Sequence, residues 1–204
     1  GWIYETPGKE GKWHKLRAED QLKVAQEAFE QKEHNLALKA ARRTVKRWPL
    51  SDFAPDAQFM IGQVYEHKKQ DEKAFNEYQK VIEKYPKYSK YEEVLQRQYG
   101  IANRFLGGQW FKLWGLIPVF PSMEKTAAMY EKLVKSGPYS DVGAQAQLRM
   151  GEAHVKEEQF SKAVKQYEHA ADIYSDRKEV ASEALFKAGL AYHKQTKAAE
   201  YDQN

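Results

Sequence analysis

Cysteine is absent from the 204 residues of this chain, which excludes disulfides, a thiol nucleophile and any cysteine-ligated metal. No apolar run approaches the ~20 residues that a helix needs to cross a bilayer. The chain does not open with a charged segment, an apolar stretch and a small-residue cleavage site, so any signal peptide is expected to have been removed. No segment alternates with period two for long enough to predict a strand. The histidines His14, His34, His67, His154, His169 and His193 form no H-x3-H pair or other close ligand spacing. Glu92-Glu93 and Glu157-Glu158 are adjacent, which puts the members of each pair on different helix bearings, as on solvated faces. With no strands there is no strand-to-helix phosphate loop. The sequence therefore offers no catalytic residues, no cofactor site and no metal site, and is not expected to encode an enzyme.

Small residues, by contrast, return at regular intervals. Gly62, Gly100, Gly151 and Gly189 each stand inside a helical pattern, where glycine costs roughly 1 kcal/mol against alanine and needs a packing reason. They are spaced 38, 51 and 38 residues apart, and Ala25 stands 37 residues before Gly62. Gly62 is followed by Tyr65, Ala74, Tyr78, Val81 and Pro86. Gly151 is followed by Ala163, Tyr167 and Ala170 at the offsets of Ala74, Tyr78 and Val81, and Tyr192 follows Gly189 as Tyr65 follows Gly62. The first unit reads Ala25, Ala37, Ala41, Thr44, Pro49. Mean hydropathy of −0.84, with 30% charged residues, suits helices that are each apolar on one face.

The order G-x2-Y, A-x3-aromatic, proline resembles the tetratricopeptide repeat, a helix-turn-helix unit. The resemblance implies an all-α right-handed superhelix of antiparallel helix pairs, with four complete repeats and a truncated fifth. The expected organisation is an extended arm over residues 1–14 and a single array over 15–204. Its repeats fall at about 15–50, 51–88, 89–140, 141–177 and an incomplete 178–204. Trp48-Pro49, Tyr85-Pro86 and Gly137-Pro138 close second helices, because the residue before proline is pushed out of the α region. In the last unit a second helix is expected to begin near Ala198 and to be cut short at Asn204, as in a fragment of a longer protein.

The third interval is 14 residues too long, and the excess falls on residues 107–120, GGQWFKLWGLIPVF. This is an apolar insertion between the two helices of one repeat. Trp110, Phe111, Leu113, Trp114, Leu116, Ile117, Val119 and Phe120 make it apolar, and Lys112 is its one charge. Long apolar loops are either packed or functional. If exposed, this one suits a protein partner better than lipid, since a single lysine meets few anionic headgroups.

Two further surfaces are candidates. Lys39, Arg42, Arg43, Lys46 and Arg47 recur at helical spacing and share one face, which reads either as a dock for an acidic partner or lipid headgroups, or as plain solvated surface. Counting from the glycine register, a partner-binding groove is expected to expose Phe29, Phe59, Gln63, His67, Arg97, Ile101, Arg104, Leu148, Val155, Phe186 and Leu190, a strip suited to an extended or helical peptide. About half of these are expected to pack between repeats instead. Nucleic acid is not an expected partner, because the later units carry no regular set of basic or base-reading side chains.

The junctions Trp48-Pro49-Leu50-Ser51 and Tyr85-Pro86-Lys87-Tyr88-Ser89, the long repeats and the third-repeat insertion are similar to the BamD family of outer-membrane assembly lipoproteins. Such junctions also occur in the periplasmic cell-division coordinator family. The BamD resemblance implies a non-catalytic scaffold at the periplasmic face of the bacterial outer membrane. There it would bind an extended peptide or the subunits of β-barrel assembly, with the membrane reached through a lipid anchor outside this chain. The family's lipid-bearing cysteine has no counterpart here, and the insertion is more apolar than the family suggests. The alternatives are a general tetratricopeptide adaptor in division or secretion, and a non-catalytic region of a larger enzyme.

Overall fold

The computed structural model describes residues 1–4, 13–113 and 117–201. Its helices are α1 (Ala18–Glu30), α2 (His34–Arg47), α3 (Ala54–His67), α4 (Asp71–Lys84), α5 (Tyr91–Leu106), α6 (Met123–Ser136), α7 (Asp141–Lys156), α8 (Phe160–Ile173) and α9 (Lys178–Tyr201). The chain divides into two compact units, Gly1–Val94 and Leu95–Asn204.

Within each unit the helices pair, and one kind of turn makes the pairs. Lys32, Lys69 and Glu158 stand just past the ends of α1, α3 and α7 with φ of 62, 58 and 59°, the left-handed conformation that stops a helix. Their amides donate to the carbonyls of Phe29, Glu66 and Val155, and the next amides donate to those of Ala28, Tyr65 and His154. The carbonyls left over by each helix end are thereby satisfied, and the chain is turned into the next helix. α5 ends in the same way, with Gly108 as the left-handed residue at φ 102° and Gln109 donating to the Arg104 carbonyl.

The glycine register has a physical cause at two of its four positions. A Cβ built on Gly62 would lie 2.4 Å from ring carbons of Tyr78, and one built on Gly151 would lie 2.4 Å from Tyr167. Both rings are buried, so α4 and α8 each lay a tyrosine against a bare stretch of helix. In the first pair the corresponding residues are Ala25 and Ala41, both fully buried, and no ring demands a glycine.

Gly100 and Gly189 depart from the expectation. The left-handed residues Lys32, Lys69 and Glu158 each stand seven positions after Ala25, Gly62 and Gly151. Counted back in the same way from Gly108, the equivalent seat on α5 belongs to Ile101, which is buried, and Gly100 is one helical step of about 100° away from it. A Cβ on Gly100 would accordingly meet only Arg104 Nη1, at 3.9 Å. The α6 tyrosine, Tyr130, is edge-on to Tyr99 at 6.2 Å instead, and its hydroxyl donates to Asn103 Oδ1 at 2.6 Å. A Cβ on Gly189 would meet nothing within 4 Å among the described residues.

Two further ties repeat. Gln58 Nε2 donates to the carbonyl and carboxylate of Glu77, and Gln147 Nε2 donates to the backbone carbonyl and side-chain oxygen of Gln166. Both glutamines are buried four residues before their glycine. The Tyr85 hydroxyl donates to the Pro49 carbonyl at 3.1 Å, and the Tyr174 hydroxyl donates to the Pro138 carbonyl at 2.9 Å, which ties each helix-pair junction to the one before it within its unit.

The structure departs from the expected absence of strands. β1 (Trp2–Tyr4) pairs antiparallel with β2 (Trp13–Lys15), so the ends of the 1–14 segment form a ladder; residues 5–12 lie outside the described residues. β3 (Phe111–Leu113) pairs antiparallel with β4 (Ile117–Phe120) inside the insertion. Both ladders are too short for a period-two signal, and every residue of β4 is exposed, so no buried face imposes alternation on it. The other departure is α9, which runs unbroken through Ala198. The position that Lys69 and Glu158 occupy in their repeats is Thr196 here, a β-branched residue to which the left-handed conformation is closed.

α9 is held by Ala184, Ala188 and Ala191, which pack into a core of Ala144, Leu148, Ala163, Tyr167, Ala170 and Tyr174. Lys187 on α9 also pairs with Glu152 on α7, which Arg149 meets at 2.7 Å. Burial would raise the Glu152 carboxyl, but hydrogen bonds from Lys187 and Arg149 outweigh it and hold the group below the ordinary glutamate range.

This packing yields two predictions. Gly62→Ala and Gly151→Ala should each lower stability by about 1–3 kcal/mol, since a buried tyrosine must shift. Gly100→Ala should raise it by up to about 1 kcal/mol, since the methyl enters open space. Chemical denaturation of the three variants checks the signs, and three equal effects would contradict the ring-on-glycine account. Glu152, with its depressed folded-state pKa, stabilises the fold above the ordinary carboxylate range and ceases to do so as pH falls through the folded value. Glu152→Gln should therefore lower the melting temperature at neutral pH, and the gap to wild type should close in acid, below pH 4.5.

Candidate functional site

The insertion takes its form from one anchor. After the cap at Gly108 the chain leaves α5 as β3, and Phe111 stacks flat on Phe105 with ring centroids 4.1 Å apart and planes 14° from parallel. Phe111 is 3% exposed. The Lys125 ammonium, in the first turn of α6, lies 4.9 Å from the Phe111 ring and 5.8 Å from the Phe120 ring, so cation–π attraction draws β4 against the same helix. Ser122 caps α6 by accepting from the Lys125 amide, which starts the helix directly after β4. Lys156 on α7 donates to the Leu106 carbonyl at 2.7 Å and fixes the end of α5 from which the hairpin springs.

The other large apolar residues described in the hairpin turn outward. Trp110, Leu113, Ile117, Val119 and Phe120 are 42 to 54% exposed. Trp114 and Leu116, at the tip, lie outside the described residues. The insertion is thus neither core nor free loop: one phenylalanine is buried, and five apolar side chains share a short two-stranded surface. Single exposed apolar residues are ordinary on proteins, whereas a contiguous set is not.

The residues expected to line a groove do not form one exposed strip. Phe59 is buried against the rings of Tyr78 and Tyr88, at 5.6 and 6.1 Å, and Leu148 is buried in the core that α8 and α9 share. Both stand three residues before their glycine, on the side of the first helix that meets the second, and this bearing corrects their placement in the groove. Ile101 is likewise buried, in the seat that Gly62 and Gly151 take on their helices. Val155 packs half-buried against the α8–α9 core, and Gln63 and Arg97 are half-buried. Phe29 and His67 do meet, ring centroids 5.1 Å apart, with His34 5.6 Å from His67. Arg104, Phe186 and Leu190 are exposed, the last two on α9.

In the basic stripe Lys39, Arg42, Lys46 and Arg47 are exposed and Arg43 is half-buried. Two of the arginines have structural work: Arg42 donates to the Tyr65 hydroxyl and so joins α2 to α3, while the Arg47 guanidinium lies 5.8 Å from the Trp48 ring. His154 is half-buried, and burial holds its imidazole below the usual range. Among the described residues no three histidine, aspartate or glutamate side chains are grouped to hold a metal, and no helix is long and apolar enough to cross a membrane.

A search for glycine and tyrosine misses the buried glutamines. Gln21, Gln58 and Gln147 recur four residues before Ala25, Gly62 and Gly151, and all three are buried. On α5 the position four before the Ile101 seat is Arg97, which is half-buried, while the buried Gln98 stands three before it, where Phe59 and Leu148 stand on their helices, so the glutamine tie is not repeated there. On α9 the position holds Leu185.

Tetratricopeptide-repeat sequence profiles match residues 56–88 and 144–177, which are the second and fourth helix pairs. No curated protein matches the chain by sequence. Among solved structures it is similar to the apo form of RapI, with 17% identity over 88% of this chain and 49% of that one, at a TM-score of 0.50. It is also similar to MamA from Desulfovibrio magneticus RS-1, with 14% identity over 90% of this chain and 97% of that one, at 0.43. A thermophilic TPR protein from Thermus thermophilus matches at 16% identity over 92% and 94% of the two chains, at 0.38. Identities this low speak to fold alone. The repeat profiles fall on helix pairs joined by one shared turn and closed by a tyrosine on a glycine, and the chain has the tetratricopeptide fold.

Proposed function

We propose that this chain is a non-catalytic protein-binding scaffold whose principal contact is the β3–β4 hairpin, and that it serves in assembly at the periplasmic face of the bacterial outer membrane. The observation that carries the binding role is the hairpin's division of labour: Phe111 is spent as an anchor while Trp110, Leu113, Ile117, Val119 and Phe120 stay in water. Fully burying a large apolar side chain is worth about 1.5–3 kcal/mol, so five half-exposed ones leave several kcal/mol for a partner to gain. Tryptophan is among the residues that dominate protein contacts, and phenylalanine is enriched in their cores. Protein is the better occupant than lipid. β3 and β4 carry one cation, Lys112, and Lys125 beside them is turned over two rings.

The envelope assignment rests on the junction motifs and the third-repeat insertion.

Changing Trp110, Leu113, Ile117 and Val119 together to serine should leave helicity and melting temperature unchanged, because the anchoring contacts, Phe105 with Phe111 and Lys125 with the Phe111 and Phe120 rings, are all kept. Phe111→Ala should by contrast cost about 3 kcal/mol. Binding is checked by titrating the wild type and the quadruple variant against a dye-labelled unfolded outer-membrane β-barrel precursor and following its fluorescence anisotropy. Saturable binding by the wild type and its loss in the folded quadruple variant are expected. No saturable binding by the wild type would sink the envelope assignment, and equal binding by the variant would sink the hairpin as the contact.

A further inference from the structure

We propose that the outward face of α9 is a docking site for an amphipathic helix of the pattern small-x2-apolar-aromatic, whose aromatic side chain seats on Gly189. The argument comes from the same site, occupied, twice within this chain. On α3 the socket is Gly62, flanked by Gln58 and Phe59, and α4 fills it with Tyr78. On α7 the socket is Gly151, flanked by Gln147 and Leu148, and α8 fills it with Tyr167. The filling helices share a pattern: Ala74, Glu77 and Tyr78 in one, Ala163, Gln166 and Tyr167 in the other. In both sockets the flanking residues are buried, none more than 3% exposed.

α9 carries the third such socket in the same register, and it stands open. A Cβ on Gly189 would meet nothing within 4 Å among the described residues. Leu185 and Phe186, at the positions of Gln58 and Phe59, are 60 and 68% exposed, and Leu190 beside the glycine is 49% exposed. The opposite face of α9, with Ala184, Ala188 and Ala191, is already committed to the core, so the orientation of the socket is set. An exposed helical glycine with three apolar neighbours destabilises a free helix and exposes apolar surface. Both costs are removed when a ring covers it.

The socket also selects its occupant. In the filled pairs the glutamine four residues before the glycine donates to the residue preceding the tyrosine, Glu77 or Gln166. Here that glutamine is Leu185, which has no proton to donate. The matching residue of the incoming helix is therefore apolar, where α4 and α8 carry a polar one, and those two helices would each lose in this socket the hydrogen bond that Gln58 or Gln147 supplies. This preference distinguishes the α9 site from the two sites already filled.

The proposal does not use the β3–β4 hairpin. The probe is a helix-stabilised 14-residue peptide with the α8 sequence, residues 160–173, carrying Gln166→Leu. Titration into the isotope-labelled chain, followed by amide chemical shifts, should show saturable binding with shifts concentrated on residues 182–193. Gly189→Leu in the protein, or Tyr167→Ala in the peptide, should each weaken binding at least tenfold. Restoring glutamine at position 166 of the peptide should weaken it by a smaller factor. Gly189→Leu enters open space and should leave the fold intact, which circular dichroism checks, and Phe186→Ser, also exposed, should weaken binding independently. Absence of saturable binding, or affinity unchanged by Gly189→Leu, overturns the proposal. A concentration-dependent dimer that Phe186→Ser dissolves would place a second copy on this face and overturn it as well. The hairpin quadruple variant should bind the peptide as the wild type does, so a failure here and a failure of the hairpin reading remain distinguishable.

Discussion

A missing methyl group sets the geometry of the two best-formed helix pairs. At Gly62 and Gly151 the ring of a buried tyrosine occupies the space that a Cβ would need, which lets α4 and α8 lie closer to their partners than any other residue type would permit. The remaining ties depend on that approach. Gln58 and Gln147 reach the backbone of the opposite helix across this close approach, and the Tyr78 hydroxyl donates to Glu66 at 2.8 Å. Tertiary contact thus overrules helix propensity, since a helix-weakening residue is placed where packing gains more than propensity loses.

The turns between paired helices make the repeats tolerant of insertion. Each turn is closed by hydrogen bonds to the first helix's own last carbonyls, so the second helix is not needed to satisfy that end. α5 retains this closed end at Gly108, and the chain beyond it is free to leave as a β-hairpin before α6 begins with its own cap at Ser122. The hairpin then needs only a foothold, which Phe111 on Phe105 provides, with Lys125 across both the Phe111 and Phe120 rings. A surface of five apolar residues is carried on the array without any of them entering its core.

The two candidate surfaces differ in kind. The hairpin is an addition to the repeat, and its shape is peculiar to the insertion. The α9 face presents the same socket that α3 and α7 present, so its complement can be described from α4 and α8. Both are apolar, and both lie in the Leu95–Asn204 unit. In the Gly1–Val94 unit the equivalent socket is filled, and the most basic helix face spends Arg42 on joining α2 to α3.

The amino-acid sequence alone determined the repeat, its approximate register and the place of the insertion, because these depend on spacing, and spacing survives in one dimension. The glycine and tyrosine at Gly62/Tyr78 and Gly151/Tyr167, the proline junctions and the apolar character of 107–120 were all legible. Which side of a helix faces which neighbour was not, and so Phe59, Ile101 and Leu148 were placed in a groove although they are core. One residue turns a helix by about 100°, which is enough to move Gly100 off the seat that Ile101 holds. Apolar side chains, moreover, are equally apt for either face until the partner helix is present. The strands were illegible because they are three or four residues long and β4 buries no face that would force alternation. The exposure of the hairpin was decided by a single stacking contact between residues six apart, Phe105 and Phe111, and the continuation of α9 by one β-branched residue, Thr196, where a left-handed turn would have been required.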